Sequence, residues 1–384
     1  MNNKIALVLG GSNGIGLSIV YELLKRKIEH VYILDYSTPD IELTDDRITF
    51  IRFNLLVEDF SEFDKLKNID ILIITAGFGR ISPFENIEEV EIVNSLKVNT
   101  LAVLRVIKRF YHKINSQEPF YTAVLSSIAG MISSPLFAVY GATKAALWRF
   151  IESVNIELEK GGVENRILNV SPGAIAGTKF SSKTNDVKLN ADLANQILEN
   201  LFAGRTLFIP DFEEVYKSVL DRYSTDSHLF GIQSYDYKKQ GGRISDKPQI
   251  KVGYLSGTFD LFHIGHLNIL RNAKAYCDYL VVGLHKDASH KGKKTFIPFG
   301  ERKMILESIK YVDRVIESYP EDDAAYHEVR YNYLFVGSDY KGTDRFNRYE
   351  DYFKDKDVEI VYFPYTNETN STQLRDLIDK AIAK

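Results

Sequence analysis

The chain has 384 residues, 45% of them apolar and 26% charged, with a formal net charge of -4. That length exceeds one ordinary domain and suits two, each able to bury its own core, while the slight acidity argues against a nucleic-acid partner held by a broad basic surface. One cysteine, Cys277, excludes an intramolecular disulfide and fits a reducing cytoplasm; with no apolar run near the roughly 18 residues of a membrane span and no signal-peptide pattern, no membrane partner is expected.

From residue 4 to about 175, short runs rich in Ile, Val and Leu alternate with helical patterns: "IALVLG", a helix from Ile15, "HVYILD", "ITFIRF", "DILIITAG", a helix around Val98 to Tyr111, "YTAVLSS" and "RILNVSPG". This alternation predicts a parallel sheet covered by helices on both faces. From about Asp221 to Pro248 the pattern fails, and polar, aromatic and glycine residues follow one another without a period. A second series then runs through "KVGYLSG", a helix from Gly265, "YLVVGLH", a helix from Glu301, "NYLFVGS", "EIVYFPY" and a last helix from Ser371. The expected organisation is α/β with two parallel-sheet domains, 1–222 and 249–384, joined by a linker and domain edge over 223–248.

In "LGGSNGIG" a strand ends and Gly10, Gly14 and Gly16 open a helix, a turn in which backbone N–H groups and a helix N-terminus can approach a pyrophosphate. Further along, Ser127 stands thirteen positions before Tyr140, and Tyr140 four before Lys144. On a helix the four-residue step puts phenol and ammonium on one face, where the ammonium can lower the phenol's pKa and reach a cofactor ribose. Such a tyrosine can pass a proton to or from an oxygen while hydride moves at carbon. Asp35 closes the second strand, where a carboxylate can bind an adenosine ribose 2′-OH and repel a 2′-phosphate. NAD(H) is therefore favoured, and NADP(H) stays open.

This segment resembles the classical short-chain dehydrogenase/reductase family, with the glycine motif at Gly10, Gly14 and Gly16, a strand-end motif at Ala76 and Gly77, Asn99, Ser127, Tyr140 and Lys144, and a "PG" turn at Pro172 and Gly173. The resemblance implies a Rossmann-like fold and a cofactor site that also takes in Ser12, Asn13 and Ile15. It makes Tyr140 the acid/base, Ser127 the holder of the substrate oxygen, Lys144 the ribose ligand and Asn99 the anchor of a proton-relay water. Three departures stand out: Leu9 in place of the usual threonine, "ITAG" for "NNAG", and a final strand and loop that look short after "TLFIP".

In "GTFDLFHIGH" a strand runs into a turn from which Gly265 and His266 begin a helix. His263 and His266, three apart across the helix start, can face one anion beside the helix N-terminus, an arrangement suited to the charge that grows on a pentacovalent phosphorus. A zinc site is the weaker reading, because no third ligand follows at a supporting spacing. From about Lys251 onward the chain resembles the glycerol-3-phosphate cytidylyltransferase family of the HxGH nucleotidyltransferase superfamily, through "GTFDLFHIGH", "RKMILESIKYVDRVI", "FVGSDYKGT" and "NSTQLR".

That resemblance implies transfer of CMP from CTP to a phosphorylated substrate, with Mg²⁺ assisting. It makes His263 and His266 the stabilisers of the transition state and places Arg302 in the substrate-binding set. Gly257, Thr258, Phe259, Gly337 and Asp339 join the binding set; Lys291, Lys293 and Lys294 are candidates to meet phosphate, and Asp260 to orient groups or help hold Mg²⁺. Near the C-terminus Tyr365 stands for a family arginine and Glu368 for a glycine, while Ser371 and Thr372 offer hydroxyls to triphosphate.

Together the resemblances imply a bifunctional enzyme making a CDP-activated alditol, of glycerol, ribitol or hexitol type, for capsule or teichoic-acid-like polymers. The partners would be CTP and a phosphorylated ketose or alditol, and both families imply a homo-oligomer, dimer or tetramer. Two alternatives stay open: action of the N-terminal domain only on the CDP-linked sugar, as oxidase, reductase or epimerase, or a non-catalytic scaffold.

Overall fold

The computed structural model describes residues 3–39, 44–56, 60–66, 68–177, 186–245, 250–287 and 295–364. Lys291, Lys293, Lys294, Tyr365, Glu368, Ser371 and Thr372 lie outside the described residues, as does the helix expected from Ser371. The chain separates into two compact units, Met1–Gln249 and Ile250–Lys384.

The first unit is built on a seven-stranded sheet ordered β3-β2-β1-β4-β5-β6-β7, every pairing parallel. Its strands are β1 Ile5–Leu9, β2 His30–Asp35, β3 Ile48–Arg52, β4 Ile69–Ile74, β5 Tyr121–Leu125, β6 Ile167–Val170 and β7 Leu207–Phe208. The helices are α1 Gly14–Lys25, α2 Glu62–Lys65, α3 Glu89–Leu96, α4 Val103–Ile114, α5 Ala138–Lys160, α6 Ala191–Phe202, α7 Lys217–Thr225 and α8 Ser227–Gln240. Because side chains alternate along a strand, Leu7 and Leu9 of β1 enter one core cluster with Val106 and Leu147, whereas Ala6 and Val8 enter the opposite one with Ile19 and Leu198. Two helical layers thus cover the sheet. The two-residue β7 matches the shortened end of the family pattern.

Two local features depart from the sequence expectations. The helix expected around Val98 to Tyr111 enters α4 through a π-helical turn, Lys97–Ala102, that carries Asn99; such turns recur at functional sites. The stretch expected as linker is helical over α7 and α8. It escapes periodicity because Phe230 is the only buried residue of α8, and polar contacts hold that helix instead. Asp226 accepts from Leu229 N at 2.9 Å, and Lys238 Nζ donates to Ser134 Oγ and Pro135 O, each at 2.8 Å.

The second unit has a five-stranded parallel sheet ordered β10-β9-β8-β11-β12. Here β8 is Val252–Gly257, β9 Tyr279–Leu284, β10 Arg314–Glu317, β11 Tyr333–Gly337 and β12 Glu359–Phe363. The helices are α9 Ile264–Lys274, α10 Phe299–Glu307, α11 Asp322–Val329 and α12 Asp344–Phe353. Edge strand β10 and helices α11 and α12 add to the expected elements. Tyr254, Tyr331, Phe346, Tyr349 and Phe353 fill one face of this core. In each unit strand order reverses beside the first strand, at β1 and at β8, and a crevice outside the carboxyl ends of strands at such a point is where ligands bind. The glycine-rich turns leave those two strand ends.

Candidate functional site

In the first unit, Gly10 takes φ +88°, and a Cβ there would lie 2.5 Å from Ala76 N. A Cβ on Gly16 would lie 2.2 Å from Gly10 O, so helix and loop close only on glycine. Asn13 makes no side-chain cap to α1, whose first turn carries no acid, so the positive end of the helix suits an anionic pyrophosphate. Thr75, the departure within "ITAG", donates from Oγ1 to Gly10 O at 2.9 Å and ties the loop to the end of β4.

Asp35 holds the same loop. Its Oδ2 accepts from Ser12 N at 3.0 Å and Ser12 Oγ at 2.6 Å, and its Oδ1 from Ser37 N at 3.1 Å. Burial pushes its carboxyl up and the Ser12 bonds draw it back. Arg52, separated in sequence, pairs with Asp35 in the β2–β3 register and brings a cation to the neighbouring strand end.

Tyr140 and Lys144 lie on α5, with Lys144 Nζ 5.5 Å from the phenol ring centroid and donating to Leu125 O at 2.8 Å. Burial pushes the Tyr140 phenol up to about 12, and its hydrogen bond with Ser127 draws it back. Lys144 is itself carried down to about 8 by burial. Burial therefore sets the direction, upward where the spacing led us to expect a lowering. A phenol kept protonated near neutrality is suited to give a proton to a carbonyl oxygen.

Around this pair the backbone is closely held. Asn99 is fully buried; its Oδ1 accepts from Phe78 N at 3.0 Å and its Nδ2 donates to Phe78 O at 2.7 Å and to Thr143 Oγ1 at 3.2 Å. A Cβ on Gly77 would meet Asn99 Oδ1 at 3.2 Å and Lys144 Nζ at 3.3 Å. Pro172 O accepts from Ile128 N at 3.1 Å and from Ser127 Oγ at 3.4 Å. The structure therefore gathers Ala76, Gly77, Asn99, Ser127, Tyr140, Lys144 and Pro172 into one set of contacts. Tyr216 is a neighbour that sequence spacing did not reveal: its hydroxyl occupies the position a Cβ on Gly173 would need, 1.5 Å away.

In the second unit, Gly257 ends β8, and Phe259 and Leu261 take φ +48° and +49° on either side of Asp260. Left-handed residues with side chains are strained, at about 1–2 kcal/mol each. Two buried charges hold the turn. Asp260, 2% exposed, accepts from Phe296 N and Ile297 N, each at 3.0 Å. Arg302, 1% exposed, donates to Ile297 O at 2.9 Å, Thr258 O at 2.5 Å, His285 O at 2.9 Å and Lys286 O at 2.7 Å. Expected among the substrate-binding residues, Arg302 is here engaged with four backbone carbonyls, and Asp260 with two backbone N–H groups.

His263 caps α9, its Nδ1 accepting from Gly265 N at 3.1 Å. That bond leaves the ring proton on Nε2. Burial lowers the His263 pKa, which favours the neutral ring. The His266 ring stacks on it, 3.9 Å between centroids and 27° between planes. At the end of β11, a Cβ on Gly337 would lie 2.5 Å from Asp339 Oδ1. Among the described residues no group of three His, Cys, Asp or Glu could hold a metal ion, and no helix is long and apolar enough to cross a membrane.

These two sites define a chain with an oxidoreductase domain followed by a nucleotidyltransferase domain. The short chain dehydrogenase family model matches residues 4–188 and the cytidylyltransferase-like model residues 254–376. The glycerol-3-phosphate cytidylyltransferase of Staphylococcus aureus is 37% identical over 125 residues, covering 31% of this chain and 88% of that protein. An oxidoreductase of Saccharomyces cerevisiae is 32% identical over 193 residues, 47% of this chain and 57% of its own length. A short chain dehydrogenase structure from Burkholderia cenocepacia shares the first fold at a TM-score of 0.51 and 21% identity, covering 61% of this chain and 98% of that one. The chain belongs, through its second unit, to the glycerol-3-phosphate cytidylyltransferase family, with a short chain dehydrogenase domain fused ahead of it. It is a bifunctional nucleotidyltransferase and oxidoreductase.

Proposed function

We propose that the protein makes a CDP-activated alditol: the second unit joins CMP from CTP to a sugar or polyol phosphate, and the first reduces the ketose carbonyl. The observation that carries this reading is the stacked His263–His266 pair at a helix start, in one chain with an assembled Ser127, Tyr140 and Lys144. In transfer, a phosphate oxygen of the acceptor bonds to the α-phosphorus of CTP as the bond to pyrophosphate breaks. His263 Nε2–H and His266 meet the growing oxygen charge, and Arg302 and Asp260 keep the turn in place. Mg²⁺ would arrive with the triphosphate of CTP, since both oxygens of Asp260 are engaged with backbone.

A nicotinamide held at the glycine loop would supply the hydride for reduction. Tyr140 gives its proton to the carbonyl oxygen, Ser127 orients that oxygen, and Lys144 contributes positive charge and a ribose contact. The uncapped start of α1 and the glycine-closed loop fit the cofactor's pyrophosphate, Asp35 favours NAD(H), and Arg52 keeps NADP(H) in play. The products would serve capsule or teichoic-acid-like polymers, in the cytoplasm where CTP is available, and the enzyme would work as a homo-oligomer, dimer or tetramer. The test is pyrophosphate release with CTP and Mg²⁺ across matched ketose and alditol phosphates, with and without NADH or NADPH. Release from a ketose only with reduced cofactor puts reduction first; release without it puts cytidylylation first. Release from no member of the panel overturns the reading.

A further inference from the structure

The stretch expected as linker makes polar contacts that play no part in the chemistry proposed above, and they converge on two segments beside Tyr140. The first segment, 78–82, follows β4. Asn99 holds Phe78 through both N and O, at 3.0 and 2.7 Å, and a Cβ on Gly79 would lie 2.6 Å from Tyr140 Cδ2, so the backbone rests against the phenol ring. Arg80 is buried and gives Nε and Nη2 to the buried Glu91 at 2.8 and 2.9 Å. Its Nη1 donates to Ser245 O at 2.6 Å, and Ser245 N donates in return to Ile81 O at 2.8 Å.

The second segment, 131–137, precedes α5. Phe137 stacks on Tyr140 with 4.2 Å between centroids and 16° between planes. Leu136, in the left-handed region at φ +63°, accepts through its carbonyl from Ser82 N at 2.7 Å, which ties the two segments together. Lys238 of α8 donates to Ser134 Oγ and Pro135 O in this segment, each at 2.8 Å. Burial carries that ammonium down to about 8, so α8 keeps it there against a desolvation cost. With Phe230 as its one buried residue, α8 has little apolar surface to fix it, and these bonds are its attachment to the wall of the site.

We propose that the chain from α8 to Ser245 is a clasp for the reductase site, in which Lys238 and Arg80 are positioning residues that fix the Tyr140 ring through segments 131–137 and 78–82. The inference rests on the reductase reading above and adds to it, because the reductase then extends past residue 222 to Ser245, five positions before the second unit begins at Ile250. Reacting groups displaced by about 1 Å can lose up to roughly 100-fold in rate, so slack in either segment is felt at the phenol.

The test uses the full-length protein with Lys238→Met, which keeps the length of the side chain and loses its donors, and Arg80→Lys, whose ammonium cannot serve Glu91 and Ser245 O in the guanidinium's fork. Each should lower kcat for ketose phosphate reduction by roughly 10-fold, and leave the NADH Kd from calorimetric titration and the rate of pyrophosphate release within about twofold. Lys238→Arg should recover most of the rate. In a Tyr140→Phe background, Lys238→Met should change the residual rate by less than about twofold, because a residue that acts through the phenol has nothing left to position. Amide hydrogen exchange of the substrate-free protein should rise at 134–137 in Lys238→Met and at 78–82 in Arg80→Lys. Unchanged exchange in both variants, a kcat within about twofold of wild type in both, or a loss that persists undiminished in the Tyr140→Phe background overturns the clasp. Absence of turnover on every ketose phosphate by the wild type overturns the reductase reading itself, and the exchange result still decides whether the clasp holds the two segments.

Discussion

At the start of α1 the N-cap side chain of Asn13 makes no capping bond and the glycine loop is closed by backbone against backbone, whereas at the start of α9 His263 caps the helix with its own imidazole. The first turn makes no side-chain cap and depends on the absence of side-chain atoms at its glycines. In the second, the capping nitrogen fixes which nitrogen carries the ring proton, and the strained residues Phe259 and Leu261 depend on anchors from elsewhere. One turn should therefore fail when an atom is added, the other when a hydrogen bond is removed.

The largest expected effect separates the two chemistries. Tyr140→Phe removes the proton donor proposed for the first unit, and His266→Ala removes half of the stacked pair in the second. Each should lower its own activity by about 10³-fold and leave the other within about twofold. Steady-state assays of nicotinamide oxidation and pyrophosphate release on both variants check this; loss of both activities in either variant would show the two sites to be one catalytic unit.

Next come the turns themselves. Gly16→Ala sets a methyl 2.2 Å from Gly10 O, where backbone cannot yield cheaply, and should weaken NADH binding by about 100-fold without touching CTP turnover. Arg302→Lys keeps the charge, but a single ammonium cannot serve four carbonyls in a fixed fork. Transferase kcat/KM should fall by about 30-fold with a lower melting temperature, while reduction persists. Calorimetric titration of NADH and pyrophosphate release measure the two, and an Arg302→Lys enzyme of full activity would remove Arg302 from the positioning of the turn.

The unequal legibility of the sites has a physical basis. Glycine turns and the Tyr140–Lys144 step are local, so spacing alone exposes them, and the alternation of Ile, Val and Leu marks β1 to β6. Helix α8 carries one buried residue, so hydrophobic period has nothing to register there. Arg52 beside Asp35 and Tyr216 against Gly173 are joined by register and packing across long stretches of chain. The net direction of the Tyr140 shift also lay beyond spacing, because burial decides it.

The smallest effects are in pH, and they run in opposite directions. Burial lowers His263 below its ordinary 6.5, so the neutral ring and its bond from Gly265 N persist into mild acid. As pH falls through the lowered value, Nδ1 takes a proton, the cap is lost, and transferase kcat should drop a few-fold, with its acid limb below 6.5. In the reductase, Lys144 stands near 8 rather than 10.5, so its charge fades as pH rises through about 8 and reduction should weaken there. Stability responds with the other sign: between about 8 and 10.5 the unfolded lysine binds more protons than the folded one, so this residue's contribution to folding free energy grows with pH. Falling reductase rate with rising melting temperature across one window, abolished together in Lys144→Met, would assign both to this ammonium. A melting temperature that falls in step with the rate would instead mark general unfolding and leave the lysine's charge without a role in the pH profile.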